Sequence, residues 1–389
     1  MKILVIIISV FFLLESYSFG QRSNGREVVL FPQGFGIELL NSKGTSGIFN
    51  NISNLSAMNP ATINQFENLS IGLSYQFQTS ITNAYAIGIG TSRIYNYLPQ
   101  SFGAVYHYND FSLGIGAEQR YNASFDIGPI PITTVQHPEG TGEYFTPEWK
   151  NLLNYYSLLA SYNFEDFIPD YITLAIGLKY NLNHYTESQS IYNISGKSTI
   201  LGSNFEIGTY FKLKLDNSRN VGFGVSYKTK AELSDYFKYD ETDYDIDPID
   251  SFYTISVIPE YIINVNIPSE IDFDFSIQTS DKWTFTGNFK EVFWNEVQNN
   301  IKDQPEFSLN AIHNFDSSVS GSLGFYYTNR TYKKDIYYMN GKFEALFITT
   351  GISFNINFLN IDIALADSHL FSGEYRKQTI GKIAFGISL

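Results

Sequence analysis

The sequence predicts an all-β protein, a transmembrane antiparallel β-barrel of about 14 strands with an N-terminal hatch segment. Three observations predict it: an apolar/polar alternation of period two that recurs along the chain, a composition rich in aromatics and glycine but poor in charge, and connections that are short and long in turn.

The chain begins with Lys2 ahead of an apolar run from Ile3 to Leu14, followed by Ser18-Phe19-Gly20. Residues 1–20 therefore read as a signal peptide, with Gln21 as the expected mature start. There is no cysteine, which excludes a lipid-anchoring thiol, a disulfide framework and thiolate metal sites. Beyond the signal no apolar run approaches the ~20 residues of a membrane helix.

Residues 21–67 carry apolar patches, Val28 to Phe31 and Gly36 to Leu40, separated by Gly, Ser and Asn. A barrel of about 14 strands has a lumen wide enough to leak unless something fills it. This stretch is the expected plug, handing over to the wall after Asn59-Pro60-Ala61.

The wall, 68–389, opens on a clear case. Leu69, Ile71, Leu73, Tyr75 and Phe77 are apolar, and the residues between them are small or polar; such a strand has a different solvent on each face. The pattern predicts strands near 68–79, 100–108, 111–121, 152–163, 171–184, 198–214, 219–230, 260–279, 282–293, 306–314, 318–329, 345–357, 359–367 and 379–389. The stretch from Tyr261 to Ile277 keeps its apolar residues on one parity across Pro268, which reads as one long strand with a single apolar face. Tight links such as Asn109-Asp110 and Asn357 to Asn360 alternate with long ones, as periplasmic turns alternate with outer loops.

Composition supports a lipid-facing wall: Tyr 29, Phe 33 and Gly 29, with only 16% charged residues. A soluble sandwich or lipocalin-like barrel would set many charges on its polar face, whereas here that face is largely Gly, Ser, Thr, Asn and Gln. The charges that do fall on it must point into the lumen, because hydrocarbon penalises them. They are Lys179, Lys212, Lys228, Lys290 and Lys382 against Glu118, Glu206, Asp272, Asp274 and Asp362. The formal net charge of −14 disfavours nucleic acid as a partner.

Two stretches together resemble a known family. "NPATINQFENLSIGLSY" is similar to the Asn-Pro-Ala hatch motif, with its first strand, of the FadL/TodX outer-membrane transport proteins for hydrophobic compounds. "IPSEIDFDFSIQTSDKWTFTGNFKEVFW" is similar to that family's Pro-led strand, polar turn and return strand ending in Trp. The resemblance implies a monomeric barrel in the outer membrane, embedded in its lipid and lipopolysaccharide. It implies passive transport of long-chain fatty acids or similar hydrophobic small molecules, captured by outer loops and released sideways at a kinked third strand. It carries over Asn59, Pro60 and Ala61 as the hatch motif, and some relatives serve instead as accessory subunits of a protein secretion machine, which would imply a protein partner.

The remaining candidates follow from chemistry. Gly114 and Gly116 are the residues that permit a bend in the third strand. The loop after it, with Phe125, Ile127, Ile130 and Ile132, is apolar enough to capture a hydrophobic ligand or to fold on itself over the barrel mouth. Lys290 and Lys382 are the lumen lysines offered to a ligand carboxylate; pairing with Asp272, Asp274 or Asp362 is the competing reading. The acidic loop from Asp240 to Asp250 lacks the Gly and closing Glu of a calcium loop. It reads as solvated, bridged by divalent cations around lipopolysaccharide. The five histidines show no catalytic or metal-binding spacing, so no enzyme activity, cofactor or metal site is expected.

Overall fold

Alternating faces need a closed sheet, and the computed structural model has one: 14 antiparallel strands, each paired with its sequence neighbours, the last returning to the first. It describes residues 25–28, 51–66, 68–83, 91–126, 130–132, 136–138, 140–145, 148–168, 171–191, 194–216, 218–239, 260–297, 302–331, 342–371 and 378–389. The signal peptide and the acidic loop 240–250 lie outside the described residues.

The wall runs β1 (Leu69–Asn83), β2 (Thr91–Tyr108), β3 (Phe111–Asp126), β4 (Glu148–Ile168), β5 (Ile172–Ile191) and β6 (Ile194–Lys214). Strand β7 comes in two halves, Asn220–Lys228 and Ala231–Tyr239, as does β8, Glu260–Ile267 and Glu270–Gln278. Then follow β9 (Trp283–Val292), β10 (Gln304–Asn314), β11 (Val319–Thr331), β12 (Lys342–Ile356), β13 (Leu359–Asp367) and β14 (Gln378–Ser388). Closure is complete at the foot of the barrel, where the Leu389 N–H donates to the Leu69 carbonyl at 2.8 Å.

Outward positions are apolar and inward positions polar. Ile71, Leu113, Ile207 and Phe385 are exposed on the outer surface, while Ser70, Ser74, Ser157 and Asn181 are buried inside. An exposed apolar belt around every wall strand has one stable solvent, the acyl region of a membrane. Aromatic residues gather toward the short turns: Tyr106, Tyr108, Tyr171, Trp283, Phe315 and Phe358 are all exposed, as an interfacial girdle requires.

Several strands run further at the long-loop end than the alternation predicts; β4 and β6 reach 21 residues, about twice what a bilayer needs. Beyond the membrane both faces meet water or protein, so the period-two signal that marks a lipid-facing strand fades while the hydrogen-bond ladder continues.

The hairpin β7–β8 corrects the sequence reading of one continuous apolar face. In its lower half Phe223, Tyr227, Phe275 and Ile277 face outward and are exposed. In its upper half Ala231, Leu233, Phe237, Ile263, Val265 and Ile267 are buried in an interior cluster with Leu153, Tyr155, Tyr185 and Ile200. The switch occurs at Thr229-Lys230 and, directly opposite, at Pro268-Ser269. There the register against β6 slips by one, from Lys228↔Glu206 to Lys238↔Lys197. One inserted residue reverses every face beyond it, and Pro268, which has no N–H, suits the interruption. Below the break apolar side chains turn out, and above it they turn in to the interior cluster. Strand β9 stops at Val292, leaving the upper edge of β8 free, and residues Gly25–Val28 pair there in parallel with Ile262 to Val265.

Candidate functional site

Of the predicted plug, residues 25–28 and 51–66 are described, and 51–66 lies inside the short-turn half of the barrel. It crosses the lumen as two short 3₁₀ turns, Ile52–Asn54 and Pro60–Gln65. Each is opened by an asparagine. The Asn51 Oδ1 accepts from the Ser53 N–H at 2.9 Å, and its Nδ2 donates to Asp362 on β13 at 2.6 Å. The Asn59 Oδ1 accepts from the Ala61 N–H at 3.0 Å, and its Nδ2 donates to the carbonyls of Thr209 at 3.1 Å and Val225 at 3.3 Å. Both side chains thus cap a turn and tie it to opposite sides of the wall.

The motif Asn59-Pro60-Ala61 follows from this geometry. Asn caps, Pro supplies the preset φ of the first helical position, and fully buried Ala61 packs with Ala175 and Tyr210. The wall makes room with inward glycines. A Cβ on Gly177 would overlap the backbone of Pro60 and Ala61, and one on Gly103 would overlap the Ile52 carbonyl.

At the centre of the crossing the Lys179 Nζ donates to the carbonyls of Ser56 at 3.0 Å and Met58 at 2.8 Å. It also pairs with Glu206 at 2.7 Å, and its side chain is 1% exposed. Above lies a layer of paired charges. Lys228 meets Glu270 at 2.5 Å, Lys290 meets Asp272 at 3.6 Å, and Arg120 meets Glu118 at 3.7 Å and Glu270 at 3.6 Å. The Asn288 amide donates to Asp272 and, at 2.8 Å, to Asp274. Of these groups Arg120, Glu206, Lys228, Glu270, Asp272 and Lys290, together with Ser56, Ala57, Tyr155, Asn181 and Ser226, line a small cavity on top of the crossing segment. Directly beyond them sits the interior apolar cluster, which Tyr155 joins to the charged layer: the Lys228 ammonium lies 5.4 Å from its ring centroid.

The wall itself is interrupted beside this layer. Strand β3 pairs with β2 only as far as Ser101↔Glu118. Among the described residues no ladder joins β2 91–100 to β3 119–126, although each pairs with its other neighbour. Register slips by one on both sides of the gap, at Gln100 in β2 and at Arg120 in β3. The irregularity in the third strand is thus at Arg120. Gly114 and Gly116 stand in unbroken ladder, where they make room for Leu55 and Ser56 of the crossing segment.

Of the other sequence candidates, Ile127 lies outside the described residues. Phe125 ends near the tip of β3, and Ile130 and Ile132 belong to a small ribbon in which Ile130-Pro131 pairs with Tyr144-Phe145; the loop folds back on itself. Lys290 faces Asp272, and Lys382 is buried in the lower wall. Lys212 keeps the inward parity of Tyr210 but is exposed, because it stands two residues above a turn that opens to water. Sequence reasoning missed Arg120; its signal was the run Glu118-Gln119-Arg120, three polar residues where the alternation demands an apolar one.

No family profile matches the chain, and no curated protein is similar to it in sequence. Solved structures match over nearly its full length. The toluene transporter TbuX of Ralstonia pickettii is 13% identical, with a TM-score of 0.57 over 92% of this chain and 99% of that one. A Pseudomonas aeruginosa FadL homologue is 11% identical, TM-score 0.58, over 92% and 99%. The toluene transporter TodX of Pseudomonas putida is 13% identical, TM-score 0.58, over 92% and 98%. With its closed 14-stranded wall, this chain has the fold of the FadL and TodX outer-membrane channels.

Proposed function

We propose that the protein is a passive, cofactor-free outer-membrane transporter that carries long-chain fatty acids or similar hydrophobic compounds from the outer loops to a sideways exit through the wall. The observation that carries this reading is the break between β2 and β3, placed at the level where the lumen changes from apolar to charged. A hydrophobic molecule gains ~0.8 kcal/mol for each CH₂ it buries and gains nothing by entering a layer of paired charges. Its downhill route from the interior apolar cluster runs through the wall into lipid rather than on through the segment 51–66.

In this reading residues 51–66 act as a hatch that closes the lumen to polar solutes. The loop carrying Phe125, Ile127, Ile130 and Ile132 supplies the apolar outer surface that collects the ligand. The test is uptake of labelled toluene and labelled oleate by cells lacking their own importers, with surface expression checked. Saturable, energy-independent uptake of at least one compound is expected. A thiol cross-linker joining Leu98→Cys on β2 to Tyr121→Cys on β3 should abolish it, and undiminished uptake through the stapled wall would refute sideways release.

A further inference from the structure

The two lips of the break between β2 and β3 remain in register with each other, and from this we infer that the wall opening is a gate. It closes by resuming the β2–β3 ladder, and Pro99 and Arg120 hold it open. The inference rests on the transport reading above and names how its exit is controlled. Each lip inserts one residue at the foot of the gap, Gln100 against β1 and Arg120 against β4. Because both slip by one, their alternation stays in phase. Counting on from Ser101↔Glu118 sets Leu98 against Tyr121. Leu98 is the partner of the buried, lumen-side Gln76, and Tyr121 that of Leu153 in the interior cluster, so the new pair falls on one face. The ladder therefore resumes above the inserted residues with no change to any pairing with β1 or β4.

What keeps the lips apart follows from the direction of the backbone groups. Leu69 and Leu389 exchange both backbone hydrogen bonds, so every second residue of β1 from Leu69, Tyr75 included, turns its N–H and C=O toward β14. The pair Tyr75↔Pro99 is thus not hydrogen-bonded, and the Pro99 nitrogen and carbonyl face β3. A proline there has no N–H to give the ladder. Its counterpart by the same count is the inserted Arg120, whose guanidinium is drawn across the lumen to Glu270 on β8 at 3.6 Å and also meets Glu118 at 3.7 Å. The first rung of the closed gate therefore lacks a donor on one strand and is anchored elsewhere on the other. Beyond it Tyr97 and Tyr95 alternate with Pro99 and face β3. On the other lip the Asn163 N–H donates to the Asp110 carbonyl, and the same alternation along β4 and β3 leaves Asn122 and Ser124 facing β2. Two such edges side by side are a template for pairing, which is the drive toward closure.

The experiment uses the absence of cysteine from the chain. Leu98→Cys and Tyr121→Cys together, oxidised with copper phenanthroline in cells, form a direct disulfide only when the lips meet. In the resumed ladder they occupy a closely spaced pair, with Cα atoms about 4.5 Å apart, within disulfide reach. Leu98→Cys with Ala123→Cys, two residues out of register, should stay reduced. Restoring the missing donor with Pro99→Val should speed the Leu98/Tyr121 disulfide by about three- to tenfold, the weight of one backbone hydrogen bond. Arg120→Gln, which releases the anchor to Glu270, should act in the same direction and serves as a second variant should the first fail to reach the surface. No disulfide at Leu98/Tyr121 in any background, or equal trapping at Leu98/Ala123, overturns the gate and leaves the transport reading as it stands. Rates unmoved in both variants overturn the roles of Pro99 and Arg120. Uptake of labelled toluene or oleate by the same cells should fall in step with the disulfide; undiminished uptake as it accumulates leaves the pairing standing and overturns sideways release.

Discussion

Lys179→Met tests whether the segment across the lumen is held by the wall or merely rests in it. The substitution keeps the length and packing of the side chain but removes the ammonium. Two carbonyls, of Ser56 and Met58, lose their donor, and the nearly buried Glu206 loses its partner at 2.7 Å. Stranding one member of a buried pair costs about 3–5 kcal/mol, and each lost charged hydrogen bond is part of that figure rather than additional to it. Removing the stranded carboxylate as well should recover much of the loss, so Lys179→Met with Glu206→Gln should be clearly more stable than the single variant. Urea unfolding in lipid vesicles reads the stability, and influx of a small polar dye reads closure of the lumen. The expectation is a loss of about 3–5 kcal/mol and a leak for the single variant, with partial rescue in the double. A single variant within about 0.5 kcal/mol of wild type, or strictly additive effects, would refute the reasoning.

Three further outcomes follow from the same geometry. Gly177→Ala should destabilise the barrel by about 1–3 kcal/mol and raise dye influx, because its Cβ overlaps the backbone of Pro60 and Ala61, whereas Gly386→Ala, whose nearest neighbour is a side-chain methyl at 3.4 Å, should be mild. The chain has no cysteine, so labelling by a water-soluble maleimide on intact cells locates the membrane edge: Ser234→Cys, above the β7 break and facing outward, should react, and Phe223→Cys, below it, should stay protected by lipid. In the turn between β6 and β7 the Asp216 carboxylate accepts from the N–H groups of Ser218 and Arg219 and from the Arg219 guanidinium, which hold its pKa down at about 2. A carboxyl lowered on folding stabilises the fold above its unfolded pKa of about 4 and loses that contribution as pH falls to about 2, so Asp216→Asn should flatten the acid limb of a stability profile between those values.

The barrel was legible because a lipid-facing wall writes itself into the sequence. Each strand that crosses hydrocarbon must alternate, as from Leu69 to Phe77, and the turns that follow are short on one side and long on the other. The turn at Asn59-Pro60-Ala61 was legible for a local reason: an Asn cap followed by Pro and Ala specifies a turn wherever it stands. What alternation does not encode is which face is in. From Val221 to Phe237 and from Ile263 to Ile277 the apolar residues keep one parity, yet a single inserted residue at Thr229-Lys230 and at Pro268-Ser269 turns the upper set inward. Only pairing with β6 shows the slip. The same holds for Arg120, for the end of the β2–β3 ladder, and for Gly177 and Gly103, whose missing side chains mean nothing until Pro60 and Ile52 are seen against them. Local solvent contrast fixes period and turns within the span of one strand. Register, gaps in the wall and the pairing of lumen charges depend on residues as far apart as Asn51 and Asp362, and only the closed fold decides them.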